Sequence, residues 1–414
     1  MINLSKAKII NSLLRLSVIA SKFLLLLYLQ ANLGTTETGY FVLFVTSVAL
    51  FVYISGWDYY SFSNRSLIQG EGASNNIISS HLVLLSISYL IVLTLFFIVA
   101  PSSAYGFQLF YLFAIIGILE QLTMEGSRYL VAIKKPLVAT FSIVIRTSLL
   151  FLVYFLLTFF DIYEHSLSFV FYIWILVDFI SLSYIVSSIN KEQNYKFYFQ
   201  LKDFWIIRKG LAVSILFYLG TLSSRGVFSF DKYFLNNSGM IDLISIYAIY
   251  LGLANMLVVA TNTLLIAFIY PKMVEAYKNN KDDYKAYGDE IFTGSVIIPI
   301  ISMIVIYIFA PYLFELLEQK SLTDYLDVMW ILMLGFFINC IGLRFYYELY
   351  SAKKDKIIML INITSSILFF VCLYLFSGFE GELAIYAVSN SIVIYFLSIT
   401  LMQIYFSKKI KHSW

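Results

Sequence analysis

Seven of the 28 basic residues lie inside long apolar stretches, where a positive charge could bind an anion. A charged side chain near the centre of a bilayer costs about 2.5–3.5 kcal/mol, so each one needs an ion-pair partner, a water-filled cavity or a ligand. These residues are therefore the first candidates for function: Arg15, Lys22, Arg128, Arg146, Arg225, Lys232 and Arg344.

Lys22 and Arg225 stand out because they lie deep in their apolar stretches, about 14 and 16 residues in at 1.5 Å per residue. No acidic residue on a neighbouring stretch lies at their depth; Asp231, beside Lys232, is nearer the outer surface. Exposing both cations to lipid would cost roughly 5–7 kcal/mol. We therefore expect them to line an aqueous cavity whose positive walls attract an anion.

Glu120, Arg146 and Asp178 lie at one depth on three successive stretches. The pattern favours a structural ion-pair layer. The alternative is a functional one, in which Arg146 contacts the substrate while Glu120 and Asp178 bind a coupling ion.

Two pairs on single helices have the spacing of local ion pairs, Glu125 with Arg128 and Arg344 with Glu348. Arg344 also remains a candidate for anion binding.

Arg15 is about 7 residues into the first stretch, where it can reach the headgroups, meet Asp58 or contact substrate. Each histidine, at a stretch end or in the tail, is interpreted as a solvated interface residue: His81, His165 and His412.

The 33 tyrosines are typical of interfacial belts and buried packing. Four flank the first two stretches of each half and are candidates for lining a polar cavity: Tyr28, Tyr40, Tyr218 and Tyr247.

The elements that would position these residues are membrane helices. The chain is 60% hydrophobic and 13% charged, too apolar for a soluble core. A span needs about 20 apolar residues, which predicts an all-α protein with twelve transmembrane helices at 8–29, 39–60, 77–99, 107–131, 136–160, 167–189, 209–235, 243–270, 290–310, 325–351, 357–377 and 382–406. The first run has no cleavage site and is predicted to be a retained span.

Basic residues fix the predicted orientation, because cytoplasmic loops retain Lys and Arg. Twenty lie in the tails and even-numbered gaps, and only Lys320 lies in an odd-numbered gap. Both termini are therefore predicted to be cytoplasmic. The basic residues are too dispersed for a nucleic-acid-binding patch.

The longest polar gap near the midpoint predicts an N-terminal six-helix lobe at 1–190, a cytoplasmic linker at 191–208 and a C-terminal lobe at 209–414. Ser21-Lys22 and Ser224-Arg225 occupy corresponding places in the two halves, followed in each case by an apolar run and a polar turn. A parallel repeat would give a pseudo-twofold axis along the membrane normal and a site between the lobes. Chance similarity of two hydrophobic hairpins is the alternative.

Other chemistry finds no support in the sequence. Cys340 and Cys372 lie inside spans and imply no disulfide framework. No metal-ligand spacing, phosphate-binding glycine loop or nucleophile–base motif occurs. The outer loops, the longest at 311–324, are too short for the catalytic domain of a membrane glycosyltransferase or polysaccharide polymerase.

Five segments resemble polysaccharide flippases in order, spacing and topology: Leu33 to Phe41, Asp231 to Leu235 with Ile246 to Ala248, Phe268 to Met273, Ala310 through Arg344 to Lys354, and Glu382 to Ala387. Over essentially its full length the chain resembles the O-antigen flippases, within the multidrug, oligosaccharidyl-lipid and polysaccharide exporter superfamily. Related lipid II flippases typically have two further spans.

The resemblance implies two six-helix lobes around a cationic cavity that carries an undecaprenyl-pyrophosphate-linked oligosaccharide to the outer leaflet of a bacterial inner membrane. Lys22 and Arg225, with Arg15, Arg146 and Arg344 as further candidates, would hold the pyrophosphate. We expect no cofactor; the coupling ion, H⁺ or Na⁺, is left open. Membrane lipids and a polysaccharide polymerase are candidate partners, and nothing demands more than a monomer. The main rival is a cation-coupled multidrug exporter, whose cavity should be acidic.

Overall fold

The fold was obtained as a computed structural model that describes residues 2–69, 74–99, 107–193, 204–316, 320–376, 378 and 381–411. All regular structure in these ranges is helical, which confirms the predicted all-α membrane class. Fourteen α-helices and one π-helical turn, Asn262–Ile266, follow one another in the described residues. They are α1 Ile2–Gly56, α2 Tyr60–Gln69, α3 Ser74–Val99, α4 Phe107–Ala132, α5 Pro136–Phe159, α6 Leu167–Gln193, α7 Phe204–Asn237, α8 Ile241–Thr261, α9 Ala267–Asn279, α10 Lys281–Leu316, α11 Lys320–Thr323, α12 Leu326–Ser351, α13 Asp355–Leu375 and α14 Leu383–Lys411.

Among the described residues, eleven helical segments are long and apolar enough to cross a membrane, so the chain is a multi-pass membrane protein. One of them, Leu13–Gly56, is 44 residues long and contains the first two predicted spans. Gly34 interrupts it with a non-helical backbone, φ 82° and ψ 176°. A positive φ favours glycine because it has no Cβ. The break at Gly34 therefore separates two spans, and the predicted number of twelve agrees with the structure.

Two compact units make up the fold. The N-terminal unit comprises Met1–Leu33 and Phe44–Leu222, and the C-terminal unit comprises Gly34–Leu43 and Ser223–Trp414. The chain thus changes unit inside α1 and inside α7. Most of the predicted linker, 194–203, lies outside the described residues.

The first half of α7 belongs to the N-terminal unit because it packs on the turn between α1 and α2. The Tyr59 hydroxyl donates to the Ile206 carbonyl at 3.3 Å, and the Tyr218 hydroxyl donates to the Ile54 carbonyl at 3.3 Å. Gly210 makes this approach possible, since a Cβ there would collide with the Tyr59 ring.

The segment after Gly34 belongs to the C-terminal unit for a similar reason. The Thr35 hydroxyl donates to Asp242 at 3.1 Å, and the Thr36 hydroxyl donates to the same carboxylate. Asp242 lies in the first turn of α8, where the helix dipole favours a negative charge.

The predicted cytoplasmic connection at 271–289 is mostly helix. Helix α9 continues through Pro271 to Asn279, and α10 begins at Lys281, nine residues before the predicted start of its span. Sequence reasoning ended the helix at Pro271. The π-helical turn at Asn262–Ile266 lies about one turn ahead of this proline, which lacks a backbone donor.

Candidate functional site

Lys22 and Arg225, the predicted anion-binding pair, each have an exposed side chain on a transmembrane helix. Lys22 lies on α1 in the N-terminal unit, and Arg225 lies on α7 in the C-terminal unit. Neighbouring Ser21 is buried, and its hydroxyl donates to the Ser17 carbonyl at 2.7 Å. Each unit therefore presents one accessible deep cation.

The surroundings of Arg225 are polar. Tyr395 on α14, almost completely buried, has hydrogen-bonding contacts with Ser224 and Ser366 and interacts electrostatically with Arg225. These contacts give α7, α13 and α14 polar side chains close to the arginine.

Arg15 is exposed on α1, whereas Asp58 is buried in the turn after the same helix. No ion pair joins the two residues in the described part of the chain. Of the three expectations for Arg15, headgroup contact and substrate contact therefore remain.

The predicted layer of Glu120, Arg146 and Asp178 forms within the N-terminal unit. The Arg146 Nη1 atom lies 3.1 Å from Glu120 Oε1, and it also donates to the Thr123 hydroxyl at 3.0 Å. Asp178 is completely buried on α6 and interacts electrostatically with Glu120 and Arg146. The ion pair is confirmed, and the three charges sum to one negative charge.

Arg344 is held by two acidic side chains of the C-terminal unit. Its Nη1 atom lies 2.8 Å from Asp289 Oδ1 on α10, and its Nε atom donates to Glu348 Oε1 at 3.2 Å. The Ser407 hydroxyl on α14 donates to the second Glu348 oxygen. The predicted Arg344–Glu348 pair is confirmed, and it links three helices.

A second buried ion pair of the C-terminal unit joins neighbouring residues on α7. The Lys232 Nζ atom donates to both Asp231 carboxylate oxygens at 3.0 Å and to the Phe228 carbonyl at 2.7 Å. The Tyr247 hydroxyl on α8 donates to Asp231 Oδ2 at 2.8 Å. Sequence reasoning noted the two charges but did not predict this triad, since adjacent helical residues ordinarily point apart.

The four candidate tyrosines divide by exposure. Tyr40 is exposed, and Tyr28 is half-buried with its hydroxyl 3.0 Å from that of Thr158. Tyr218 and Tyr247 are buried and bonded within their own units. Only Tyr40 and Tyr28 keep an accessible surface.

The predicted pair of Glu125 and Arg128 on α4 is confirmed at 2.7 Å, but the carboxylate is buried. The interpretation of His81 as a solvated residue is wrong, because it is buried on α3 with its Nε2 atom 4.0 Å from Glu125 Oε2. His165 is half-buried against the Tyr28 ring, with 5.7 Å between ring centroids, and His412 lies outside the described residues. The burial of His81 was not predicted because the sequence placed it near the end of a span. Helix α3 begins earlier, at Ser74, so His81 lies within the packed part of the helix.

Across the described ranges, no group of three or more His, Cys, Asp or Glu side chains is arranged to hold a metal ion. Cys340 and Cys372 are both free and buried there.

Comparison with solved structures identifies the fold as that of the MATE transporters. An inward-facing multidrug resistance MATE family transporter of the MOP superfamily superposes with a TM-score of 0.73 at 15% identity, covering 97% of this chain and 98% of its own. An outward-facing form gives 0.66 at 14% identity, covering 99% of this chain and 96% of its own. A MOP superfamily transporter from Pyrococcus furiosus, described as having a binding pocket of reverse polarity that suggests a different function, gives 0.64 at 14% identity with 99% and 94% coverage. No protein-family model matches the chain, and no curated protein matches it.

Proposed function

We propose that this protein is a transporter that moves an undecaprenyl-pyrophosphate-linked oligosaccharide from the inner to the outer leaflet of a bacterial inner membrane, with both termini in the cytoplasm. The observation that carries the proposal is the exposure of Lys22 and Arg225 on transmembrane helices, one in each unit. A fixed, accessible positive charge deep in a span favours an anionic substrate group. The MATE-type fold supports transport, and the flippase-like segments support the lipid-linked glycan.

Lys22, Arg225 and Arg15 are the residues to which we assign pyrophosphate contact, because their side chains are exposed. Arg146 and Arg344 are already bonded to Glu120 and to the Asp289–Glu348 pair. Their role in the proposal is secondary, because each arginine offsets one of the two negative charges of the acidic residues around it.

The membrane potential favours this direction of movement. Exporting a dianion from a negative interior gains about 2.3 kcal/mol per charge per 100 mV. A coupling ion, H⁺ or Na⁺, would then act on the return of the empty carrier. Asp178 and Glu120 are the acids assigned to it, since together with Arg146 they leave one negative charge buried in the N-terminal unit.

The test is complementation of a deletion strain of the native host with wild-type and variant genes. We expect Lys22→Ala and Arg225→Ala each to abolish surface polysaccharide and to cause undecaprenyl-linked oligosaccharide to accumulate, with normal protein levels. Lys22→Arg and Arg225→Lys should retain partial activity if charge is what matters. Lys209→Ala, which removes another exposed lysine from α7, is the matched control. Full activity of a Lys22→Ala, Arg225→Ala double variant would contradict the assignment.

Export of organic cations by a cation-coupled mechanism is the second candidate, favoured by the multidrug resistance transporters among the similar structures. Its discriminating assay is efflux of a cationic dye from cells that express the chain. Efflux that depends on Glu120 and Asp178 but persists in the Lys22→Ala, Arg225→Ala variant would establish this function instead. Efflux absent in the wild type, with polysaccharide lost in the variants, would support the flippase.

A further inference from the structure

Five buried polar side chains of the N-terminal unit form a cluster with open hydrogen-bonding capacity. Each has an atom without a hydrogen-bond partner among the described residues, and we call the five the polar cluster: Asp58 Oδ2, His81 Nε2, Tyr89 Oη, Gln121 Oε1 and Glu125 Oε2. Buried polar atoms are ordinarily bonded, so these five atoms together can hydrogen-bond to a further polar group.

The helices bring these atoms together by simple spacing. Gln121 and Glu125 are four apart on α4, and the Gln121 amide donates to Glu125 Oε1 at 3.1 Å. His81 on α3 places Nε2 4.0 Å from Glu125 Oε2. Tyr89 and Asp58 both interact electrostatically with Glu125.

The turn that carries Asp58 is held in a defined conformation. Trp57 and Asp58 both have left-handed backbones, with φ 52° and 46°. The Trp57 indole donates to Ser88 on α3 at 3.0 Å, and a Cβ added at Gly56 would lie 2.7 Å from the Gln121 amide nitrogen. The turn is therefore fixed against α3 and α4, with the Asp58 carboxyl buried.

The charge count of the cluster is unbalanced. Asp58 and Glu125 contribute two negative charges, and Arg128 contributes one positive charge at 2.7 Å from Glu125 Oε1. The Arg128 guanidinium also lies 3.8 Å from the centre of the Tyr60 ring. With His81 neutral, one negative charge remains buried, which is strongly unfavourable without a counter-charge. One proton bound to either Asp58 or Glu125 balances the count.

The formally charged side chains that interact with one another and with His81 in the cluster are Asp58, Glu125 and Arg128. Helix α6 lines the adjoining space with apolar side chains and Asn190. Across the surrounding elements, the titratable groups that face the cluster are Asp58, Tyr59 and Tyr60 from the α1–α2 turn and α2, His81 and Tyr89 from α3, Glu125, Arg128 and Tyr129 from α4, and Tyr218 from α7.

A cavity of about 180 Å³ adjoins His81 and Glu125. Its lining is mostly apolar, and its polar side chains Ser63, Asn64 and Asn190 lie in segments that the basic-residue pattern assigns to the cytoplasmic side. A water occupies about 30 Å³, so the cavity has room for several. Water that enters from the polar end and reaches His81 and Glu125 would bring protons to them, and one water would bridge the 4.0 Å between their facing atoms.

We propose that Glu125 and His81 form a proton-binding site supplied from the cytoplasmic side through this cavity. A hydronium ion in the cavity transfers its proton to Glu125 Oε2 and becomes a water molecule, and the protonated carboxyl shares the proton with His81 Nε2 through a hydrogen-bonded water. This site is separate from the Glu120–Asp178 layer, because it uses different side chains, includes His81 on α3 and adjoins its own cavity. It does not depend on the identity of the transported substrate.

Infrared spectroscopy of the full-length protein, labelled with ¹³C-glutamate and reconstituted in lipid, tests the proposal without a transport assay. We expect a labelled protonated-carboxyl band at neutral pH that is lost in Glu125→Gln and kept in Glu120→Gln. Glu275→Gln, which removes an exposed carboxylate, is the matched control and should leave the band unchanged. Absence of the band in the wild type, or its survival in Glu125→Gln, would overturn the proposal.

A variant of His81 tests the sharing of the proton and avoids changing the carboxyl itself. In His81→Leu the band should still form, but its titration midpoint should fall by about one pH unit, since no side chain at this position accepts the proton's hydrogen bond. An unchanged midpoint would remove His81 from the site. If Glu125→Gln does not fold, the wild-type band together with its survival in Glu120→Gln and its response to His81→Leu decides the question.

Discussion

The two units treat buried polar groups differently. Most buried side-chain oxygen and nitrogen atoms that lack a hydrogen-bond partner among the described residues lie in the N-terminal unit; in the C-terminal unit they are the hydroxyls of Ser295 and Ser365. The buried carboxylates of the C-terminal unit, Asp231 and Glu348, have bonded partners on both oxygens.

The difference separates charges that hold the fold from charges that can bind. A fully bonded buried ion pair is strongly destabilised when one partner is removed. A buried carboxyl with an open oxygen can accept a proton, an ion or a water at little structural cost. The buried ion pairs of the C-terminal unit are therefore structural, and the buried acids of the N-terminal unit are the ones available for coupling.

The largest effect expected from this contrast is at Lys232. Lys232→Met leaves the Asp231 carboxylate buried without its counter-charge and should cost about 3–5 kcal/mol of folding free energy. The measurement is the unfolding temperature of the purified protein in detergent. Lys209→Met, at an exposed lysine of the same helix, should leave that temperature unchanged. An equally small change in both variants would remove the structural assignment of the triad.

Two fully buried tyrosines provide a matched pair across the units. Tyr247→Phe removes a hydrogen bond to the Asp231 carboxylate and should lower stability by about 1.5–3 kcal/mol. The Tyr154 hydroxyl has no hydrogen-bond partner in the described residues, so Tyr154→Phe should be neutral or slightly stabilising. Denaturant unfolding of both variants compares them directly. A loss in Tyr154→Phe equal to that in Tyr247→Phe would contradict the comparison.

Helix α7 allows the comparison within a single element. Gly210→Ala places a methyl group against the Tyr59 ring and should cost about 1–3 kcal/mol through overpacking. A Cβ at Gly226, in the C-terminal unit, would meet its nearest atom at 3.8 Å, so Gly226→Ala should be tolerated. Thermal unfolding distinguishes the two. Destabilisation by Gly226→Ala of the same size would show that the close approach to the Tyr59 ring is not what makes Gly210→Ala unfavourable.

The smallest effect is expected at Asp289, whose side chain is 54% exposed although it pairs with Arg344. Solvent screens such a pair, and Glu348 still holds the guanidinium in Asp289→Asn. The loss should be at most about 1 kcal/mol. A loss as large as that of Lys232→Met, measured in the same detergent, would mean that Asp289 is an essential part of the cluster.

Sequence alone was sufficient for features that depend on length and spacing along one helix. The twelve spans and the Glu125–Arg128 and Arg344–Glu348 pairs agree with the structure for this reason. The Glu120–Arg146 pair was also predictable, because depth along parallel spans can be counted from their ends.

Features that depend on how helices rotate and pack could not be predicted from the sequence. The burial of His81, its approach to Glu125 and the Asp231–Tyr247 bond all require knowledge of which helix faces meet. The helical connection through Pro271 was missed because the residues that follow are charged and resemble a loop. The role of Lys22, Arg225 and the other proposed substrate-binding residues stays a prediction.

The change of unit within α1 and within α7 has a consequence for how the protein is made. The ten residues Gly34–Leu43 are synthesised early but belong to the C-terminal unit, whose other residues follow Leu222. When Thr35 and Thr36 leave the ribosome, more than two hundred residues must still be added before Asp242, which accepts their hydrogen bonds, is synthesised. A gene cut at its midpoint would therefore encode two halves that each lack part of a unit. During biogenesis, the segment after Gly34 can pack in its final position only after α8 has been synthesised.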